Sequence, residues 1–254
     1  MKFNLFPGIL LCLSLTAHQL YAASTGANTD LPAFFNATYT LHSKGLTLGK
    51  MERSFTREAN GIYRFSSQSY PTGLASLFRH DRIHEFSLFR LHADEVRPLE
   101  YSYDHRGGKK ERQVRVVFDW ENSSITNTLG RHHWRMQAVP GVLDKLVYQI
   151  ALMRHLRQGK IHLRYQIADG GRMKVYAIEM QGEEMLETPM GRVKTIRLQR
   201  KKANSKRMTT LWCAPELDYL PVQVEHREKD GNVTIARLVE LKGMQFPVSN
   251  SSNR

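Results

Sequence analysis

Cysteine is nearly absent: the chain has two in 254 residues, and one of them, Cys12, lies in the apolar run near its start. A disulfide-stapled scaffold is therefore excluded, and the fold must rest on burial. Long apolar stretches are missing too. After the first two dozen positions nothing approaches the roughly 20 residues that cross a bilayer as a helix, which excludes a multi-span helical membrane protein. Acid is also short, with 24 Asp and Glu against 37 Lys and Arg and a formal net charge of +13. What is plentiful is apolar residue, 41% of the chain, enough to fill a real core. At roughly 150 residues per domain the length suits one large domain or two small ones.

Lys2 precedes an apolar run from Leu5 to Ala17, and Ala22-Ala23-Ser24 supplies small residues for cleavage. This pattern predicts a signal peptide over residues 1–23, a polar leader over 24–33, a single β-rich domain over 34–244 and a flexible tail over 245–254. Cys12 is a poor lipidation site because Leu11 stands where a small residue is wanted. Cleavage near Ala22 to Ser24 leaves Cys213 as a lone thiol, and its place between Trp212 and Ala214 reads as a small core residue. Export predicts a periplasmic location, with membrane association peripheral at most.

Most of the remaining chain alternates apolar and polar residues with period two, the mark of half-buried antiparallel strands. Phe35, Ala37, Tyr39 and Leu41 alternate with Asn36, Thr38, Thr40 and His42, and the same holds around Leu99–Tyr103, Val114–Trp120, Ile161–Ala168 and Val233–Leu241. Asn60-Gly61, Gly107-Gly108, Asp169-Gly170-Gly171 and Asp230-Gly231 interrupt the alternation with residues that tolerate positive φ, as tight hairpins require. One segment breaks the rule. From Val142 to Arg157, Leu143, Leu146, Val147, Ile150 and Met153 recur at helical spacing, with Asp144 early and Arg154, His155 and Arg157 late, as a helix dipole favours. Leu74, Leu77 and Phe78, after Pro71-Thr72-Gly73, suggest one or two further helical turns.

About ten to twelve short strands and one helix predict a mainly β fold. The expected form is a single curved antiparallel sheet or partly open barrel, with the α-helix packed on its concave side. Two stacked sheets are the alternative.

No nucleophile elbow, phosphate-cradling glycine loop, dinucleotide fingerprint or zinc-protease motif is present, so the chain reads as a non-enzyme without a cofactor. His80 and His84 are four apart with Glu85 adjacent, but that stretch reads as strand and the histidines as surface residues. An acidic group at Glu179, Glu183, Glu184 and Glu187 would have to be paired in space to act as a hydrolase, and its spacing does not demand that. The strongest compositional signal is positive charge. One cluster runs from Arg106 to Arg115, and a second holds Arg192, Lys194, Arg197, Arg200, Lys201, Lys202, Lys206 and Arg207. Export argues against nucleic acid as its partner and leaves lipid headgroups or anionic envelope polymers.

Three stretches in order carry a family likeness: Pro140-Gly141-Val142-Leu143-Asp144, Thr188-Pro189-Met190-Gly191, and Leu211-Trp212-Cys213-Ala214-Pro215 followed by Tyr219-Leu220-Pro221. Behind an export signal, over roughly Phe34 to Gly243, they resemble the bacterial family labelled domain of unknown function 3108. The resemblance implies a periplasmic protein of a Gram-negative bacterium with a mostly antiparallel β fold, and it brings no established activity or catalytic residues. Cys213 departs from the apolar residue expected after Trp212.

Two functional readings follow. In the first, a lipid or other hydrophobic envelope molecule lies in a groove beneath the helix, lined by Leu143, Leu146, Ile150 and Met153, with Leu74, Leu77 and Phe78 as a flap. In the second, the protein is an interaction or structural protein of the cell envelope, meeting an anionic polymer or protein partner through its basic face.

Overall fold

The computed structural model describes residues 30–93, 95–108, 111–201 and 206–246, so the predicted signal peptide and most of the predicted leader lie outside it. Eight strands form one up-and-down meander: β1 (Phe35–Ser43), β2 (Leu46–Arg57), β3 (Tyr63–Pro71), β4 (Arg82–His92), β5 (Glu95–Arg106), β6 (Arg112–Asp119), β7 (Ser124–Leu129) and β8 (His132–Gln137). After β9 (Val142–Asp144) and the helix α1 (Tyr148–Arg157) comes a second meander of β10 (Leu163–Asp169), β11 (Arg172–Thr188), β12 (Gly191–Lys201), β13 (Met208–Ala214), β14 (Leu220–Arg227) and β15 (Val233–Lys242). All belong to one sheet in the order β8-β7-β6-β5-β4-β3-β2-β1-β15-β14-β13-β12-β11-β10-β9. Its first and last long strands, β1 and β15, pair at the centre and join the two meanders. Neighbours are antiparallel except β9 with β10, which run parallel.

The described residues hold fifteen strands where the alternation predicted about ten to twelve. The extra ones are those without one buried and one exposed face. β8 is exposed or half-exposed along its length, most of β11 is exposed, and β9 has three residues, all buried. Period two is legible only where one face is dry and the other wet.

The sheet rolls over so that β9 lies against β5, and its β8 edge approaches the β10–β11 turn. That turn uses Gly170 and Gly171 at φ 63° and 72°. The ring of Trp134 on β8 sits 3.3 Å from where a Cβ on Gly171 would be, so a side chain there would crowd the closure.

The expected helix over Val142–Arg157 divides in two. Val142, Leu143 and Asp144 instead pair with Gln166, Ile167 and Ala168 as a strand. Asp144 ends it by accepting the N–H groups of Leu146 and Val147 on Oδ1, both at 2.8 Å, which turns the chain toward α1 at Tyr148. The helix is buried on nearly every side, including Ile150, Leu152, Met153, Leu156 and even Arg154, so it fills the roll as a plug rather than covering it as a lid. Around it the inward residues of both meanders form one continuous core, with an aromatic group of Phe35, Phe55, Phe65, Tyr63 and Phe89 whose ring centroids lie 5.4–6.2 Å apart. Met244 and Phe246 pack against this core, and residues 247–254 of the predicted tail lie outside the described residues.

Candidate functional site

The residues predicted to line a groove are split between two environments. Leu143, Leu146, Ile150 and Met153 are 4, 1, 0 and 1% exposed within the continuous core. Walls of a space wide enough for an acyl chain would retain water-accessible surface; these retain almost none. Leu74, Leu77 and Phe78 are 81, 67 and 84% exposed, on and just after the short 3-10 turn Gly73–Leu77 between β3 and β4. They do not close over the helix.

The predicted basic cluster is interleaved with acid. Because β11 and β12 are antiparallel neighbours, Arg192 meets Glu187 at 3.3 Å, Lys194 meets Glu183 at 2.6 Å and Arg197 meets Glu184 at 3.8 Å. Trp212 Nε1 also donates to Glu184, and Arg207 pairs with Glu228 at 2.7 Å. Arg200 lies over the Tyr176 ring, 4.1 Å from its centroid, and donates to Thr209. Lys206 is exposed, whereas Lys202 and the Lys201 side chain lie outside the described residues. Such surface pairs contribute little stability but cancel much of the local field. Three of the four glutamates considered for paired-carboxylate chemistry are thereby committed to cations.

Under the roll lies a polar clasp the sequence did not flag. Ser87 Oγ donates to Asp144 Oδ1 at 2.7 Å, with both residues sealed from water, while Asp144 Oδ2 is buried without a partner. Burial pushes the Asp144 acid up to about 6, against three hydrogen bonds that lower it and the nearby Glu85 that raises it further. Tyr101 donates to Glu85 at 2.8 Å, and Lys145 lies 3.8 Å from Glu85 and 4.0 Å from the Tyr103 ring centroid. The group fastens the start of the plug to β4 and β5. With Ser87 and Asp144 sealed it offers no nucleophile to a substrate.

The feature that faces outward is set by hairpin parity. In an up-and-down sheet alternate turns emerge at the same end. The turns β1–β2, β3–β4, β5–β6, β7–β8, β10–β11, β12–β13 and β14–β15 therefore share one rim. That rim carries Lys44, Arg79, Arg82, Arg106, Arg112, Arg131, Arg172, Lys206, Arg207 and Lys229, against Asp81, Asp104, Glu111, Asp169, Glu228 and Asp230, with Arg79, Arg106 and Arg207 paired to Asp81, Asp104 and Glu228. The opposite rim carries Glu58, Glu95, Glu121, Glu187, Glu216 and Asp218 together with Arg57, Arg90, Arg97, Arg157, Lys160 and Arg192. On the basic rim stand the exposed Leu74, Leu77 and Phe78 together with Leu46, 67% exposed, just after the β1–β2 turn. Thr72 N–H donates to Leu48 O, holding this loop beside β2, and a cleft of about 220 Å³ lined by Leu41, Leu48, Pro71, Ile83 and Arg79 opens behind it.

Among the described residues the fold thus defines a β-barrel-like protein, one long, mostly antiparallel sheet rolled around one buried α-helix, with an apolar loop on its cationic rim. The chain belongs to the family described as protein of unknown function DUF3108, whose family model matches residues 38–236. Among solved structures it is similar to the β-barrel-like protein of domain of unknown function DUF1849 from Brucella abortus, with TM-score 0.57 and 12% identity over 84% of this chain and 98% of that one. A second similar structure is MucB, with TM-score 0.35 and 12% identity over 90% of this chain and 59% of that one. No curated protein matches the chain in sequence.

Proposed function

We propose that this is an exported, periplasmic, non-enzymatic binding module that seats its basic rim on the anionic surface of an envelope membrane. The observation that carries the proposal is the exposure of Leu46, Leu74, Leu77 and Phe78 on the rim where the cations of seven turns converge. Removing a Leu or Phe side chain from water is worth about 1.5–3 kcal/mol. A Lys or Arg held near an anionic leaflet adds about 1 kcal/mol. Four anchors with Lys44 and Arg82 beside them are enough for reversible, peripheral attachment after the cost of association, and the roll itself stays outside the bilayer. The export pattern at residues 1–23 supplies the compartment in which such a surface is met.

Vesicle sedimentation tests this. The mature chain should pellet with phosphatidylglycerol–phosphatidylethanolamine vesicles, release as salt rises, and bind phosphatidylcholine weakly. The variant Leu74→Ser with Phe78→Ser should bind at least about tenfold less tightly, a loss of about 1.4 kcal/mol or more. A wild-type chain left in the supernatant, or a variant that pellets as well as wild type, rejects the reading. Cell fractionation checks the compartment: recovery of the full-length gene product from the cytoplasm alone would remove its premise.

A further inference from the structure

At the rim opposite the basic one, where β4 and β6 end and β5 begins, lies a cleft of about 630 Å³ whose lining includes the apolar Leu91, Leu99 and Val117, the cations Arg90 and Arg97, Trp120, and the carboxylates Asp119 and Glu121. Arg90 and Arg97 are directly opposite each other across the β4–β5 hairpin. Like charges in that position repel. Among the described residues neither guanidinium has a carboxylate within ion-pair distance, whereas Arg192, Lys194 and Arg197 of β12 do. Arg97 instead lies over the Trp120 ring, 5.2 Å from its centroid, with its Nε–H shut from water and unpartnered. Trp120 is fixed in turn by its Nε1–H donating to Pro98 O at 2.7 Å and by stacking on Phe118 at 6.2 Å. A cation braced by rings keeps its outer N–H groups free for a ligand and needs little ordering when one arrives.

We propose that this cleft is a binding site for a small amphipathic oxyanion, a phosphate or carboxylate gripped between Arg90 and Arg97 with its apolar or sugar body against Leu91, Leu99 and Val117. Two carboxylates in the same lining limit the choice. Asp119 is ionised and bonded to Asn122, and Glu121 is exposed, so a second negative group on the ligand would be repelled there and a neutral or cationic one accepted. The site is separate from the basic rim and does not depend on the membrane proposal.

The test uses the mature chain with three probes: glycerol 3-phosphate, glucuronate and monomeric dihexanoyl phosphatidic acid. At least one should raise the melting temperature and change Trp120 emission saturably. An order of phosphatidic acid over glycerol phosphate over glucuronate points to a lipid headgroup as the source, and the reverse order to an acidic sugar. Arg97→Gln should weaken the best probe at least about tenfold, and Arg97→Lys should recover only part of the loss because the fork is gone. Without probe, Arg90→Gln should melt at or above wild type, since a repulsion is removed. The rim variant Leu74→Ser with Phe78→Ser should bind the probes normally. No response to any probe in wild type, or undiminished binding by folded Arg90→Gln with Arg97→Gln, overturns the proposal.

Discussion

Asp144 is the residue on which the interior turns. It ends β9, begins the helical segment and meets Ser87, 57 positions earlier in the chain, with one oxygen left unpaired. Its folded value of about 6 exceeds its ordinary 3.8, so the fold favours the protonated acid. The stability this contributes is present below about pH 4 and is lost as pH rises through 6, about 3 kcal/mol across the window. His155 works in the opposite direction. Burial lowers it from 6.5 to about 4 beside Tyr165, with Lys160 and Arg154 adding repulsion, so its contribution is present above pH 6.5 and is lost as pH falls toward 4. In wild type the two slopes oppose each other. Asp144→Asn should make urea stability rise more steeply between pH 4 and 6, and His155→Gln should make it fall there. Unchanged slopes would contradict both assignments. The sequence marked Asp144 only as a helix-start acid, because its partner Ser87 comes from the other meander. Cys213, by contrast, was legible from its apolar neighbours: it is fully buried, and burial pushes its thiol well above the usual range.

At the scale of elements, α1 and the 3-10 turn show how similar apolar spacing leads to opposite environments. Both carry leucines three or four apart. Ile150 lies in the plug with no exposed surface, so Ile150→Ala should cost about 2–5 kcal/mol by chemical denaturation. Leu74→Ala on the exposed turn should change stability by less than about 0.5 kcal/mol while weakening vesicle binding. Equal stability costs would mean that the exposed loop packs onto the roll. Composition could not separate these segments, since burial depends on what the sheet wraps around. The split of the predicted helix at Asp144 has the same origin: Val142 and Leu143 satisfy a helical period, but β10 offers them a strand edge. The basic cluster on β12 was likewise visible as charge, and its neutralisation by β11 became visible only with the register of the two strands.

For the whole molecule, the pairing of β1 with β15 makes two meanders into one body around one core. Trp120 and Trp134 report on the first meander and Trp212 on the second. Urea unfolding followed by tryptophan emission and by far-ultraviolet dichroism should therefore give coincident transitions, and two separated ones would show meanders that unfold independently. The sequence by itself determined that the chain is a mainly antiparallel β protein of this family with one internal helix, because alternation and turn chemistry are local and each strand records its own wet and dry faces. Only the tertiary structure decided that the sheet closes around a filled interior, that Asp144 and Ser87 meet, and that the cations of seven separate turns share a rim with Leu74, Leu77 and Phe78. Those facts depend on strand order and on pairing between residues as far apart as Asn36 and Lys242, which no local pattern encodes.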